Sequence, residues 1–147
     1  MEKTHGYSGT PLLKKLGIVP GLRIVTLQTP AHYRKLLGEL PPGVNFTTQL
    51  RAGARFVHLF ATQRSRLTRQ VASVRAKMSD DGVIWVSWPK KSSGVSSNIT
   101  EDTIRAVALP LGLVDTKVCA VDEIWSGLKL MLRRENRTGK TGTKINK

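Results

Sequence analysis

Apolar positions along this chain alternate between two periods. From Gln63 to Lys77, Leu67, Val71 and Val74, continued by Met78, recur every three to four residues. That spacing predicts a helix with one buried stripe and with Arg64, Arg66, Arg69, Arg75 and Lys77 on its other faces. The polar turn Ser79–Gly82 is followed by Val83-Ile84-Trp85-Val86, a run without alternation. Such a run predicts burial on both faces, as in a central strand of a parallel sheet, over Gly82–Trp88 until Pro89 stops it. Shorter apolar runs predict strands at Leu22–Leu27, Val44–Thr48 and Arg55–Ala61.

Three further helices fit between the strands. Thr10-Pro11 opens one on Leu12, Leu13 and Leu16, closed by Gly17. Thr29-Pro30 opens another, with Tyr33, Leu36, Leu37 and Leu40 at helical spacing before Pro41-Pro42-Gly43 breaks it. Thr100 caps a third, and Glu101 and Asp102 in its first turn suit the helix dipole. Asp115–Val121 starts with alternating charged and apolar positions, as an edge strand does. After the turn Asp122–Gly127, Leu128–Leu132 runs back antiparallel. The prediction is an α/β fold: one doubly wound, mostly parallel, six-stranded Rossmann-like sheet with a C-terminal antiparallel hairpin, in strand order 2-1-3-4-6-5. It occupies residues 10–134, between a short arm (1–9) and a basic tail (135–147) with too little apolar surface to order itself.

Charge adds a possible partner. The 147 residues carry a net +14, concentrated as +6 over residues 51–80 and +5 over 133–147, while 101–132 carry −2. Such a surface favours polyanions, so weak, sequence-blind association with nucleic acid is expected. Aromatic content is only 5%, and no known nucleic-acid reader motif is present. Cys119 is the sole cysteine, so no intrachain disulfide can form. Together with a start lacking an apolar h-region, this points to the cytoplasm, and the lack of a long apolar run argues against a membrane.

The parallel β/α units ending in an antiparallel hairpin, over roughly Leu22–Arg133, resemble the class I methyltransferase fold. That resemblance implies a glycine-rich turn after the first strand and an acid after the second, to hold S-adenosylmethionine. Here those places read Leu27-Gln28-Thr29-Pro30-Ala31-His32 and Thr47-Thr48-Gln49, and no G-x-G-x-x-G exists, so no cofactor is expected. Gly6–Leu12, Lys15–Ile18, Asp81–Lys91 and Asp122–Lys129 are similar to segments of an uncharacterised family of small bacterial proteins known only as a domain of unknown function. The similarity extends over about residues 6–134. It implies a bacterial cytoplasmic protein and supplies no catalytic residues.

In open parallel sheets ligands bind beyond the carboxyl ends of the strands. The predicted topology brings Gln28–Pro30, Ala61–Arg64, Pro89–Gly94 and Asp122–Gly127 to that edge. Arg64, Lys90 and Lys91 would bind an anionic small molecule, aided by N–H groups of Ser92, Ser93 and Gly94. Asp122 and Glu123 would pair with those cations or act as acid and base, and Trp125 would flank the pocket beside Trp88. No metal set is expected: His58 reads as a satisfied core histidine, and His5 and His32 are distant in sequence. Cys119 reads as a small buried hydrophobe. Without a nucleophile, metal set or phosphate loop, these residues favour a ligand-binding or regulatory module over an enzyme acting on a phosphorylated substrate.

Overall fold

The run Val83–Val86 lies inside the sheet, as its pattern requires. A computed structural model describes residues 11–137, with elements α1 (Leu12–Leu16), β1 (Arg23–Leu27), α2 (Tyr33–Leu37), β2 (Asn45–Thr47), β3 (Ala54–Phe60), α3 (Arg64–Lys77), β4 (Met78–Pro89), α4 (Glu101–Ala108), β5 (Leu113–Ala120) and β6 (Trp125–Leu132). The six strands form one mixed sheet in the order β2-β1-β3-β4-β6-β5. β1 pairs in parallel with β2 and β3, and β3 with β4. β6 is antiparallel to both β4 and β5, so the last strand is inserted between them, in the expected order. Among the described residues no helix is long and apolar enough to cross a membrane.

Alternation along the strands divides the core in two. On one face Val25, Val57, Leu59, Ile84, Val86, Leu128 and Leu130 pack against Leu67, Val71 and Val74 of α3 and Ile104 and Ala108 of α4. On the other, Ile24, Phe56, Phe60 and Trp85 pack against Leu12 and Leu16 of α1 and Tyr33 and Leu37 of α2. The indole N–H of Trp85, fully buried, donates to the Leu16 carbonyl at 3.0 Å and so fixes α1 to the sheet. α4 begins with a reciprocal capping box, in which the Thr100 and Thr103 side chains each accept the other's backbone N–H.

β6 begins at Trp125, inside the expected turn Asp122–Gly127, and α2 begins at Tyr33, after Thr29-Pro30; three further departures have a local cause. α2 stops at Leu37, because Gly38 takes φ 75° and ψ −148° and throws Leu40 off the helix axis. β4 starts at Met78, so the expected turn Ser79–Gly82 is instead a bulge. The β3 register jumps there from Ala54↔Met78 to Phe56↔Val83. Asp81 holds the bulge by accepting from Ser79 Oγ and Arg55 Nη2, both at 2.8 Å. Gly82 is needed in it, since a Cβ there would sit 3.0 Å from the carbonyl oxygens of Ala54 and Ser79. Finally, residues 135–137, placed in the tail by composition, continue a 3-10 turn at Arg134–Asn136 in which Asn136 Nδ2 donates to the Gly112 carbonyl. The arm 1–9, the cap Thr10, His5 and the tail from 138 lie outside the described residues.

Candidate functional site

Since β1, β3, β4 and β5 run the same way, the segments following them share one edge of the sheet. The chain leaves β1 toward β2 on one side and continues through β3 on the other, so the topological switch point lies at the carboxyl ends of β1 and β3. At that point Gln28 adopts φ 60°, the one non-glycine residue among those described with a positive φ. Left-handed backbone costs an L-residue roughly 1–2 kcal/mol, and strain of this kind clusters at functional sites. A cavity of about 280 Å³ opens beside it, lined by Thr26, Thr29, Pro30, Tyr33 and Arg34 among others.

The edge is closed by a contact that sequence reasoning missed. His32 Nε2 lies 3.0 Å from Asp122 Oδ2, joining the start of α2 to the β5–β6 turn across 90 residues of sequence. Asp122 is 9% exposed, and its other oxygen accepts the N–H groups of Ile124 (2.9 Å) and Trp125 (2.7 Å). Its carboxylate therefore shapes its own turn and orients an imidazole that remains 44% exposed. A carboxylate that fixes an imidazole in this way leaves the second ring nitrogen available for hydrogen bonding or proton transfer.

Beneath the edge lies a second histidine chain. Tyr33 Oη is 2.9 Å from His58 Nδ1, and His58 Nε2 is 2.8 Å from Ser87 Oγ. Complete burial pushes the His58 pKa down to about 3, and burial also raises that of the Tyr33 phenol, so both stay neutral. His58 is thus the satisfied core histidine its mid-strand position suggested.

The expected anion-binding residues reach the same edge without forming a closed cluster. The Lys90 N–H donates to the Ile124 carbonyl at 2.7 Å, which brings the end of β4 against the Asp122 turn. Neither Lys90 nor Lys91 pairs with Asp122, whose oxygens are already engaged. Lys91–Ser93 form a single 3-10 turn, and the N–H groups of Ser93 and Gly94 are used inside it, on the carbonyls of Lys90 and Lys91. Ser92 is exposed, Glu123 is exposed, and Arg64 opens α3 with its N–H on Asn98 Oδ1. Trp125 meets Phe60 edge-on at 5.0 Å and belongs to the α1/α2-side core, whereas Trp88 is buried on the opposite face. Burial raises the Cys119 thiol pKa, with Lys15 opposing, so the thiol stays protonated. Among the described residues no group of three or more His, Cys, Asp or Glu side chains is placed to hold a metal.

This sheet, with its antiparallel last strand inserted one place from the edge, has a methyltransferase-like fold. A candidate type 11 methyltransferase from Sulfolobus solfataricus is similar over 85% of this chain and 91% of its own, at TM-score 0.59 and 11% identity. LepI in complex with SAM is similar at TM-score 0.48 and 16% identity, over 90% of this chain, and the chain spans 50% of LepI's length. No curated protein matches the sequence. The protein belongs to the family described as Protein of unknown function (DUF3052), which matches residues 57–134. The match begins within β3, so the Gly6–Leu12 and Lys15–Ile18 segments precede it.

Proposed function

We propose that this protein is a ligand-binding or regulatory module on a degenerate, doubly wound methyltransferase-like scaffold, acting without catalysis. Its ligand is an anionic small molecule held at the carboxyl edge by Lys90, Lys91 and Arg64, with His32 as the polar anchor. The left-handed backbone of Gln28 at the switch point carries this reading. The turn after β1 keeps a conformation that favours glycine, yet a glutamine fills it. That favours a side chain retained for contact over the close backbone approach a methyl donor requires.

A thermal-shift screen against nucleotides, sugar phosphates and S-adenosylmethionine tests it. A true ligand stabilises the native state by about 2.7 kcal/mol at a hundredfold excess over its dissociation constant. We expect a phosphorylated compound to raise the melting temperature, Lys90→Gln/Lys91→Gln and His32→Ala to abolish the shift, and S-adenosylmethionine to give none. Micromolar binding of S-adenosylmethionine defeats the reading.

An enzyme acting on an anionic substrate is the second reading, favoured by one observation: an exposed imidazole oriented by a buried carboxylate, His32–Asp122. Turnover of any stabilising ligand, lost in His32→Ala, selects it over the first.

A further inference from the structure

The link from β2 to β3 is confined to residues 48–53 and contains no helix. Two parallel strands are commonly joined by a crossover of about a dozen residues or more, often a helix that covers the sheet between them. Here the link runs back as irregular chain, its Leu50 packed into the α3/α4-side core and its Gly53 N–H donating to the Lys77 carbonyl at 2.7 Å. Beside this strap lies a groove of about 700 Å³ at the amino ends of β1, β2 and β3.

Arg23, Arg51 and Arg55 line that groove, and no Asp or Glu does. Arg23 Nε donates to Asn45 Oδ1 at 3.3 Å, and Arg51 Nη2 to Gln49 Oε1 at 2.6 Å. Both partners are neutral amides, which orient a guanidinium without cancelling its charge. Arg55 alone faces a carboxylate, Asp81, in a solvent-exposed pair. We propose that this groove is a binding site for a phosphate-bearing small molecule, with Arg23 and Arg51 gripping its phosphoryl oxygens. The guanidinium fork matches such oxygens, and the volume falls in the range of about 300–1,000 Å³ that small-molecule sites occupy. A single nucleic-acid strand fits less well, because strands need free aromatic faces for stacking. The one aromatic side chain lining the groove, Phe46, is already covered by Arg34 at 4.0 Å. The groove opens at the edge opposite Gln28 and His32, so it stands apart from the site proposed above.

Calorimetry and thermal shift on the full chain with inorganic tripolyphosphate, and separately with ribose 5-phosphate, test the assignment. We expect salt-sensitive binding of at least one probe, tripolyphosphate alone pointing to an inorganic chain and ribose 5-phosphate to a phosphorylated metabolite. The double variant Arg23→Gln/Arg51→Gln should weaken binding by about tenfold or more, since it removes two charge-assisted contacts. The variant Ala52→Phe, which fills the groove at constant charge, should weaken it as well. Lys90→Gln/Lys91→Gln, on the far edge, removes only what that edge binds, so the component of binding lost in Arg23→Gln/Arg51→Gln should persist in it, which separates this site from the other. Arg23 and Arg51 are exposed, so the ligand-free melting temperature should hold. Absence of binding, equal loss in the Lys90/Lys91 variant, insensitivity to Ala52→Phe, or a preference for single-stranded RNA over both probes each overturns it.

Discussion

Gln28 is the residue whose backbone cost is plainest. Replacing it by glycine removes a left-handed penalty of roughly 1–2 kcal/mol and adds about 0.5–1 kcal/mol of chain entropy to be lost. Gln28→Gly should therefore stabilise the fold by up to about 1 kcal/mol in urea denaturation, while weakening the carboxyl-edge ligand. A variant that is less stable than the parent shows that the side chain serves packing, not binding. His58 gives a pH signature. Its folded pKa lies far below its ordinary value of 6.5, so the unfolded chain takes up a proton that the folded chain refuses. Stability should consequently fall as pH drops from about 6.5 toward 3, by roughly 1 kcal/mol per pH unit, and this component should vanish in His58→Gln. Urea midpoints at pH 7, 5.5 and 4.5 for both proteins check it; parallel slopes refute it. His58 was legible because it sits mid-strand between apolar neighbours. His32 was not, because a partner 90 residues away is set by the sheet's order and leaves no local pattern.

Elements with a strong pattern were readable, and those shaped by neighbours were not. The unbroken run Val83–Val86 announced a central strand, and the charged start of β5 announced an edge. The bulge at Ser79–Gly82 looked like a turn, because polar residues that bond one another across a register jump resemble a loop in sequence. The β5–β6 pair contains an unfavourable feature with no sequence signal at all. Lys117 and Lys129 stand directly opposite each other, and burial together with Lys117 lowers the Lys129 pKa. Like charges facing across strands destabilise, whereas opposite charges contribute about 0.2–1 kcal/mol. Lys117→Glu should accordingly raise the melting temperature and return the Lys129 pKa toward its usual value, read by NMR titration of the lysine. No change in either would mean that solvent already screens the pair.

At the scale of the molecule, the α/β class and the strand order followed from the sequence because alternating strands and helices admit few arrangements. The large groove was invisible to that reasoning, since it arises from the absence of a covering helix over residues 48–53. The surplus of cations remains distributed: Arg64, Arg66 and Arg69 are all exposed along α3. Duplex DNA should bind weakly and without sequence preference, with a log–log salt slope near −0.9 per phosphate neutralised, and Arg64→Gln/Arg66→Gln/Arg69→Gln should reduce that slope. Tight binding at physiological salt that discriminates between sequences contradicts this. The insertion of β6 between β4 and β5 has a temporal side. During synthesis the last of the described strands fills an interior slot, so β5 lacks its sheet neighbour and β4 keeps a bare hydrogen-bonding edge until Leu132 has left the ribosome. An emerging chain thus holds Val-Ile-Trp-Val open as a template for foreign strands for as long as translation stalls short of that point. A chain terminated after Ile124 should aggregate when expressed alone, and adding the segment 125–137 in trans should restore solubility by seating the missing strand.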